Sequence, residues 1–331
     1  MRIGKITENA LKRSVLKKIR TEYKDMKSAA VGSDCAFSDD GRCFSTVCPV
    51  TADISDGAYY AVVKAINALV AQGVRPDHFT LAILLPADAQ EVLLKSIVGD
   101  AIEAGRYLDV LYAGGHTEVT TAVTRPVITA NAVGYSDAVP AVPQAGQALV
   151  VAGWIALEGT AILAHEKRSD LVTRYPVPFV DTAIEFKHKL DVRPMAEAVA
   201  EIIAGSGQTG INPAAVSVHD ISSGGVFAAL WEMGERAGCG LEADLKAIPI
   251  RQETIEICEF LSVNPYLLSS AGSLLIACDD ADVVIEKLAK RGVNAAAIGH
   301  LTEGNGRVLR NDDEMRYLDM PQADELIRVF G

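Results

Sequence analysis

The chain has 331 residues, of which 49% are hydrophobic and 22% charged, and it carries a formal net charge of −12. That length exceeds what one hydrophobic core usually organises, so two domains are expected. The acidic balance argues against nucleic acid or an anionic membrane surface as a partner, because both would repel it. No apolar run is long enough to span a bilayer, and the opening MRIGKITENALKRSVLKKI lacks the apolar stretch of a signal peptide. Cys35, Cys43, Cys48, Cys239, Cys258 and Cys278 form no C-x-x-C pair and no zinc-finger spacing. Reduced, mostly buried thiols in a cytoplasmic protein are the expectation.

A first helix is expected from an N-cap at Thr7, with Leu11, Val15, Leu16 and Ile19 on one face and Lys12, Arg13, Lys17, Lys18 and Arg20 solvated on the other. Two β-rich stretches, AAVGSDCAF and RCFSTVCPV, follow around a polar turn at Ser38–Gly41. Asp56 reads as the N-cap of a long helix, DGAYYAVVKAINALVAQ, stopped by Gly73 and apolar almost all round, hence buried. Then come a strand, HFTLAILL; a helix, EVLLKSIVGDAIEAG; and a short strand, DVLYAG, running into a Gly114–Gly115 turn. The strand PVITANAVGY closes the first half.

Residues 138–147 have the Pro, Gly and small-residue composition of a connection. Beyond them strand and helix alternate again: ALVVAGW, GTAILAHEK, a helical stretch Phe179–Ala204 interrupted near Pro194, AAVSVHD, GGVFAALWEMGERAG, GSLLIACDD, ADVVIEKLAKRG and NAAAIGHLTE. Such alternation predicts an α/β or α+β fold.

Three places can carry chemistry. The loop GSDCAFSDD offers Asp34, Asp39 and Asp40; carboxylates on a tight turn suit Mg²⁺, yet Asp is also common in ordinary turns. A plain turn is the simpler account of Asp39 and Asp40, while both readings stay open for Asp34. The passage GGHTEVT, Gly114–Thr120, combines glycines that admit a ligand closely with His116, Thr117 and Glu118, but alone it equally describes a surface turn. In HDISSGGVFAALWEMGERAG, a strand ends at Asp220 and Gly224–Gly225 opens a helix whose backbone N–H groups suit a phosphate. Taken alone it is an ordinary serine-capped turn. There is no Walker A loop, G-x-G-x-x-G fingerprint, HExxH motif or Ser-His-Asp arrangement.

In order and spacing, MRIGKI, GSDCAF, INALVAQGVRP, GGHTEVTTAVTRPVITANAVG, EGTAILAHEK, HDISSGGVFAALWEMGERAGCGLEAD and the tail from IPI to HLTEG together resemble the aminoimidazole ribonucleotide synthetase-like (PurM-like) ATP-binding superfamily, nearest its hydrogenase maturation factor HypE branch. The resemblance covers essentially the whole chain. It implies an N-terminal ATP-binding domain, residues 1–140, whose β-sheet forms a dimeric barrel with a second copy, and a C-terminal α/β sandwich, residues 148–331. It implies ATP and Mg²⁺ as cofactors. Lys5, Asp34, Asn67, Gly114, Gly115, His116, Thr117, Glu118, Asp220, Ser223, Gly224 and Gly225 are the implied nucleotide-binding residues, with Asp34 and Asp220 as metal ligands. It further implies a homodimer acting on a small-molecule acceptor or with a maturation-type protein partner.

Three departures stand out. Ala68 follows Asn67 where the family pattern has aspartate, and Cys48 precedes Pro49-Val50-Thr51 where HypE-like chains have another. Alanine ligates no metal, and a thiol suits Mg²⁺ poorly. Asp53 and Asp56 stand nearby as replacement ligands. HypE dehydrates a carbamoyl group carried on its own terminal cysteine, whereas no cysteine follows Cys278 here, so that self-modifying reaction is expected to be excluded. Two functions remain: ATP-dependent activation or phosphorylation of an oxygen on an unidentified small acceptor, or a catalytically degenerate nucleotide-binding or assembly protein. A nucleophilic Cys48 has no neighbouring base in the sequence, and a buried structural thiol is the simpler reading.

Overall fold

The computed structural model of the chain describes residues 3–24, 28–38, 40–137, 140–209, 216–321 and 323–331; Asp39 lies outside them. The helices are α1 (Glu8–Leu11), α2 (Lys17–Glu22), α3 (Gly57–Ala71), α4 (Glu91–Leu108), α5 (Leu157–Glu166), α6 (Arg168–Leu171), α7 (Val177–Ile184), α8 (Arg193–Thr209), α9 (Gly225–Ala237), α10 (Gln252–Phe260), α11 (Ala281–Lys290) and α12 (Glu325–Phe330). The strands are β1 (Ala36–Phe37), β2 (Cys43–Val50), β3 (Arg75–Leu85), β4 (Leu111–Val119), β5 (Val127–Tyr135), β6 (Ala148–Ala152), β7 (Ser217–Ile221), β8 (Gly240–Asp244), β9 (Ser273–Cys278), β10 (Ala295–Thr302), β11 (Arg307–Asn311) and β12 (Glu314–Tyr317). Among the described residues they make a five-stranded sheet, β1-β2-β5-β3-β4, and a seven-stranded sheet, β12-β11-β8-β10-β6-β9-β7. The fold is mixed α/β, as expected.

The strand sequences explain the layers. In the second sheet the runs ALVVA and SLLIAC are apolar at every position but Ser273, which suits strands covered on both faces. Val150, Ala152, Leu274 and Ile276 point into one core, and Leu149, Val151, Leu275 and Ala277 into another, beneath Val226, Leu230 and Met233 of α9. The first sheet alternates instead. Phe44, Phe79, Leu81, Ile83, Ile128, Ala130 and Ala132 face α3 and α4, while Ala82, Leu84, Val127, Val133 and Tyr135 line the opposite face, over which no helix lies among the described residues.

Helix α3 joins the two halves. Every residue of it except Ala68 is buried, because it packs on the first sheet with one side and on β7 and α8 with the other. Gly73 stops it in the left-handed conformation at φ +70°, as its position after the apolar run predicts. One core therefore runs unbroken from Phe79 through Ile66 to Phe186 and Leu190.

Several expectations need correcting. Residues 29–35 are turn and coil, leaving β1 only two residues long. The first helix carries a π turn at Lys12–Leu16 between α1 and α2; it shifts the phase, burying Leu16 but leaving Val15 exposed. Its basic face is partly docked: Lys12 pairs with Glu235 at 2.7 Å. Asp56 stands at the N-cap position of α3 as expected, but its side chain makes no capping hydrogen bond and instead accepts one from Lys187 at 2.9 Å. Gly114 and Gly115 lie inside β4, paired parallel with β3, and form no turn.

Candidate functional site

Beyond its two-residue pairing with β1, the edge of β2 from Thr46 to Pro49 pairs with no strand among the described residues, and β7 is the outermost strand of the second sheet. Between these edges lies a cleft of about 630 Å³, bordered by Lys64 and Ala68 of α3 and by the turn into α9. The segment around Ile3–Lys5 closes one side, strapped to α9 by Lys5–Glu232 at 3.0 Å and by a hydrogen bond from Trp231 Nε1 to Glu8 at 3.0 Å.

Asp34 sits at the centre of a buried polar chain. Its Oδ2 accepts from Gln72 Nε2 at 2.6 Å and from the Asp220 amide at 3.2 Å. His219 Nδ1 stands 2.5 Å from Asp34 Oδ1, an ion-pair contact without an aligned N–H, and His219 Nε2 is 3.0 Å from Glu232 Oε2. Burial opposes charge on the imidazole, but Asp34 and Glu232 outweigh it and raise His219 to about 10. Burial likewise opposes charge on Glu232, and Lys5 and His219 nonetheless hold it down at about 2. Burial, and then Asp34, push the Asp220 carboxyl well above the usual range; its Oδ1 is buried with no partner. Gly32 makes this loop possible: at φ +72°, a Cβ there would meet the Glu232 carbonyl oxygen at 2.5 Å.

A second ion pair lies deeper. Lys64, 6% exposed, has its Nζ 3.2 Å from Oε1 of Glu158, itself 1% exposed, and donates to Ser223 Oγ at 3.2 Å. Burial works against the ammonium, yet Glu158 and its other acidic neighbours keep the lysine pKa above normal. The Ala271 amide holds Glu158 Oε2 at 3.0 Å. Cys48 borders the same cleft, its thiol pKa raised chiefly by burial.

Of the residues singled out in the sequence, Lys5, Asp34, Asp220, Ser223 and Gly225 line the cleft. Asn67 does not; its amide donates to the Leu190 carbonyl at 2.7 Å. The Gly224 amide faces Asp324 and donates to its Oδ2 at 2.6 Å. Gly114, Gly115, His116, Thr117 and Glu118 lie exposed on edge strand β4, outside the cleft. Lys64, His219, Glu232, Gln72 and Glu158 were not singled out. A lone lysine in an apolar helix was the available signal for Lys64; the partners of His219 come together only on folding.

Mg²⁺ needs several free oxygen donors. Asp34 has both oxygens engaged, Cys48 and Ala68 offer none, and Asp220 presents one unpartnered oxygen. Asp56 is paired with Lys187, and neither it nor Asp53 borders the cleft. Among the described residues no three His, Cys, Asp or Glu side chains converge as metal ligands. These side chains do not fit a resident Mg²⁺. Nor is any helix among the described residues long and apolar enough to cross a membrane.

The family description AIR synthase related protein, N-terminal domain, matches residues 25–136, and its C-terminal counterpart matches residues 144–311. A Methanocaldococcus jannaschii protein named for hydrogenase expression and formation is 27% identical, with 98% of this chain and 97% of that one aligned. The carbamoyl dehydratase HypE of Rhodobacter capsulatus is 26% identical over 91% of this chain and 86% of its own. A HypE–HypF complex structure superposes with a TM-score of 0.71 at 19% identity, covering 93% of this chain and all (100%) of the other. A HypE structure in complex with ATP superposes with a TM-score of 0.69 at 19% identity, covering 94% and 96%.

Proposed function

The chain belongs to the AIR synthase related protein family, and from that premise we propose that it binds ATP in the cleft between β2 and β7 and activates an oxygen of a small acceptor. In that chemistry a carbonyl or amide oxygen takes the γ-phosphoryl group and ADP leaves; the C–O bond then breaks to release phosphate, either as a nucleophile bonds to that carbon or, from an amide, as the nitrogen gives up its proton and a C≡N bond forms. The observation that carries the reading is the cleft itself, where Lys64, Ser223 and Gly225 converge beside the start of α9. Similarity to HypE, and to a HypE structure with ATP, supports a maturation-type reaction and a maturation-type protein partner. None of residues 279–331 is a cysteine, so the acceptor group is carried elsewhere than on that stretch. The face of the first sheet that no helix covers among the described residues supports pairing with a second copy.

The test is ligand-induced stabilisation followed by turnover. ATP at about a hundred times its Kd should add about 2.7 kcal/mol to unfolding stability. ADP should then form when amide or S-carbamoyl acceptors are supplied. No stabilisation at saturating ATP would refute the reading. Stabilisation without ADP from any acceptor favours the second reading, a nucleotide-binding assembly or regulatory protein. That alternative draws its support from Asp324, which already occupies the Gly224 amide.

A further inference from the structure

We propose that this cleft takes nucleotide phosphates without a divalent metal, Lys64 supplying the positive charge that a metal would bring. The inference rests on the nucleotide reading above and concerns how the same site is neutralised.

Lys64 is placed for the role. It is a nearly fully buried cation bordering the cleft, and its Nζ reaches Ser223 at the turn into α9. An ammonium has three N–H bonds. Glu158 and Ser223 engage it from two directions, which leaves a donor for a ligand oxygen. Lys64 borders both this cleft and the smaller neighbouring pocket, whereas Glu158 borders only the smaller one, so of the pair it is the lysine that reaches the wall of the cleft.

The two residues that depart from the family pattern belong to the same logic. Cys48 and Ala68 both line this cleft, and Ala68 is the one residue of α3 not buried. Carboxylates at both positions would attract a metal; with no metal they would repel phosphate at close range. Neutral residues at both positions, with a lysine one helical turn before Ala68, put a cation on the stretch of wall between β2 and α3, away from Lys5, which is paired with Glu232. Asp34 is turned to a different use, held by His219, Gln72 and the Asp220 amide. Cys48, Ala68 and Lys64 together thus exchange metal-ligating acids for side-chain positive charge on one stretch of the wall.

The experiment is titration calorimetry of the whole chain with ATP, in EDTA and then in Mg²⁺. The affinities should agree within about threefold. Lys64→Met should weaken binding in EDTA by about tenfold or more. Because that change strands Glu158, Lys64→Met/Glu158→Gln serves as the folded control and should show the same loss. Cys48→Asp/Ala68→Asp should lower metal-free affinity by about tenfold and make Mg²⁺ restore it. Binding by the wild-type chain only when Mg²⁺ is present overturns the inference and leaves the nucleotide reading intact. Metal-free binding unchanged in the Lys64→Met/Glu158→Gln chain removes Lys64 from the role. No ATP binding under either condition overturns the nucleotide reading, and this inference with it.

Discussion

Asp324 Oδ2 accepts a 2.6 Å hydrogen bond from the Gly224 amide, tying the start of α12 to the head of α9. The same carboxylate accepts from Ser269 Oγ at 2.7 Å and from the Leu326 amide at 2.9 Å. Asp324→Ala therefore strands several buried donors and removes the α12 cap, and should cost about 2–4 kcal/mol of unfolding stability. Equilibrium urea unfolding checks it. A loss below about 0.5 kcal/mol, the range of ordinary surface changes, would show these bonds to be dispensable.

Asp100 on α4 gives a pH signature away from the cleft. Burial, then Asp56, push its carboxyl up to about 6 against the opposing pull of Lys187, and its Oδ2 has no partner. The folded value lies above the unfolded value of about 3.9, so the folded chain retains a proton the unfolded chain gives up. The associated stability is complete below about pH 4 and lost as pH rises through about 6. Asp100→Asn should leave stability near pH 4 little changed and raise it near pH 8 by about 1–2 kcal/mol, after allowance for solvent screening. Denaturation midpoints at the two pH values decide the matter; an unchanged midpoint near pH 8 rejects it.

Gly115 and Gly114 are adjacent, yet they should respond differently to alanine. A Cβ on Gly115 would lie 1.9 Å from the Leu81 carbonyl oxygen, while one on Gly114 meets nothing within 4 Å. Gly115→Ala should cost about 2–4 kcal/mol by prising β4 from β3, and Gly114→Ala about 1 kcal/mol from backbone conformation alone. Thermal melts of the two variants side by side make the comparison. Equal losses would contradict the close approach of β4 to β3.

Val133 sits mid-sheet on the face that no helix covers among the described residues. If a second copy packs there, Val133→Arg should convert a two-chain mass into a one-chain mass while preserving the circular dichroism spectrum, because a buried unpaired charge is costly at an interface. Light scattering reads the mass directly. A dimer that survives the substitution means the copies meet elsewhere.

The Cys48 thiol borders the cleft, while Cys35, Cys258 and Cys278 are buried with burial raising each to about 12. Iodoacetamide should modify Cys48 before those three, though slowly, because burial raises the Cys48 thiol pKa as well. ATP should protect it. Peptide mass mapping gives the order, and equal labelling with and without ATP would place the nucleotide away from β2.

The sequence made much of this legible because the relevant signals were local. Gly73 ends α3 as an αL glycine should, and the apolar run before it is buried as its composition demands. Asp34 and Asp220 carry recognisable surroundings, and the structure brings them into one cleft. What was hidden depended on contacts made at a distance. His219 acquires its meaning from residues 34 and 232, and Lys64 from residues 158 and 223. The Gly-Gly dipeptide reads as a turn because turns are its commonest use; only the nearness of Leu81 explains Gly115 within a strand. Strands β8, β11 and β12 are short and partly polar, so no hydrophobic period announces them.

The position of α3 has a consequence for how the molecule holds together. A helix buried on all sides by elements of both halves gives neither sheet a complete interior without the other. Melting should proceed as a single cooperative event, because losing either half exposes the Val, Ile and Leu surface on which the other depends. The helix acts as a fixed keel. A nucleotide entering the cleft is then expected to displace its lighter borders, the Ile3–Lys5 strap and α12, while α3 stays where it is.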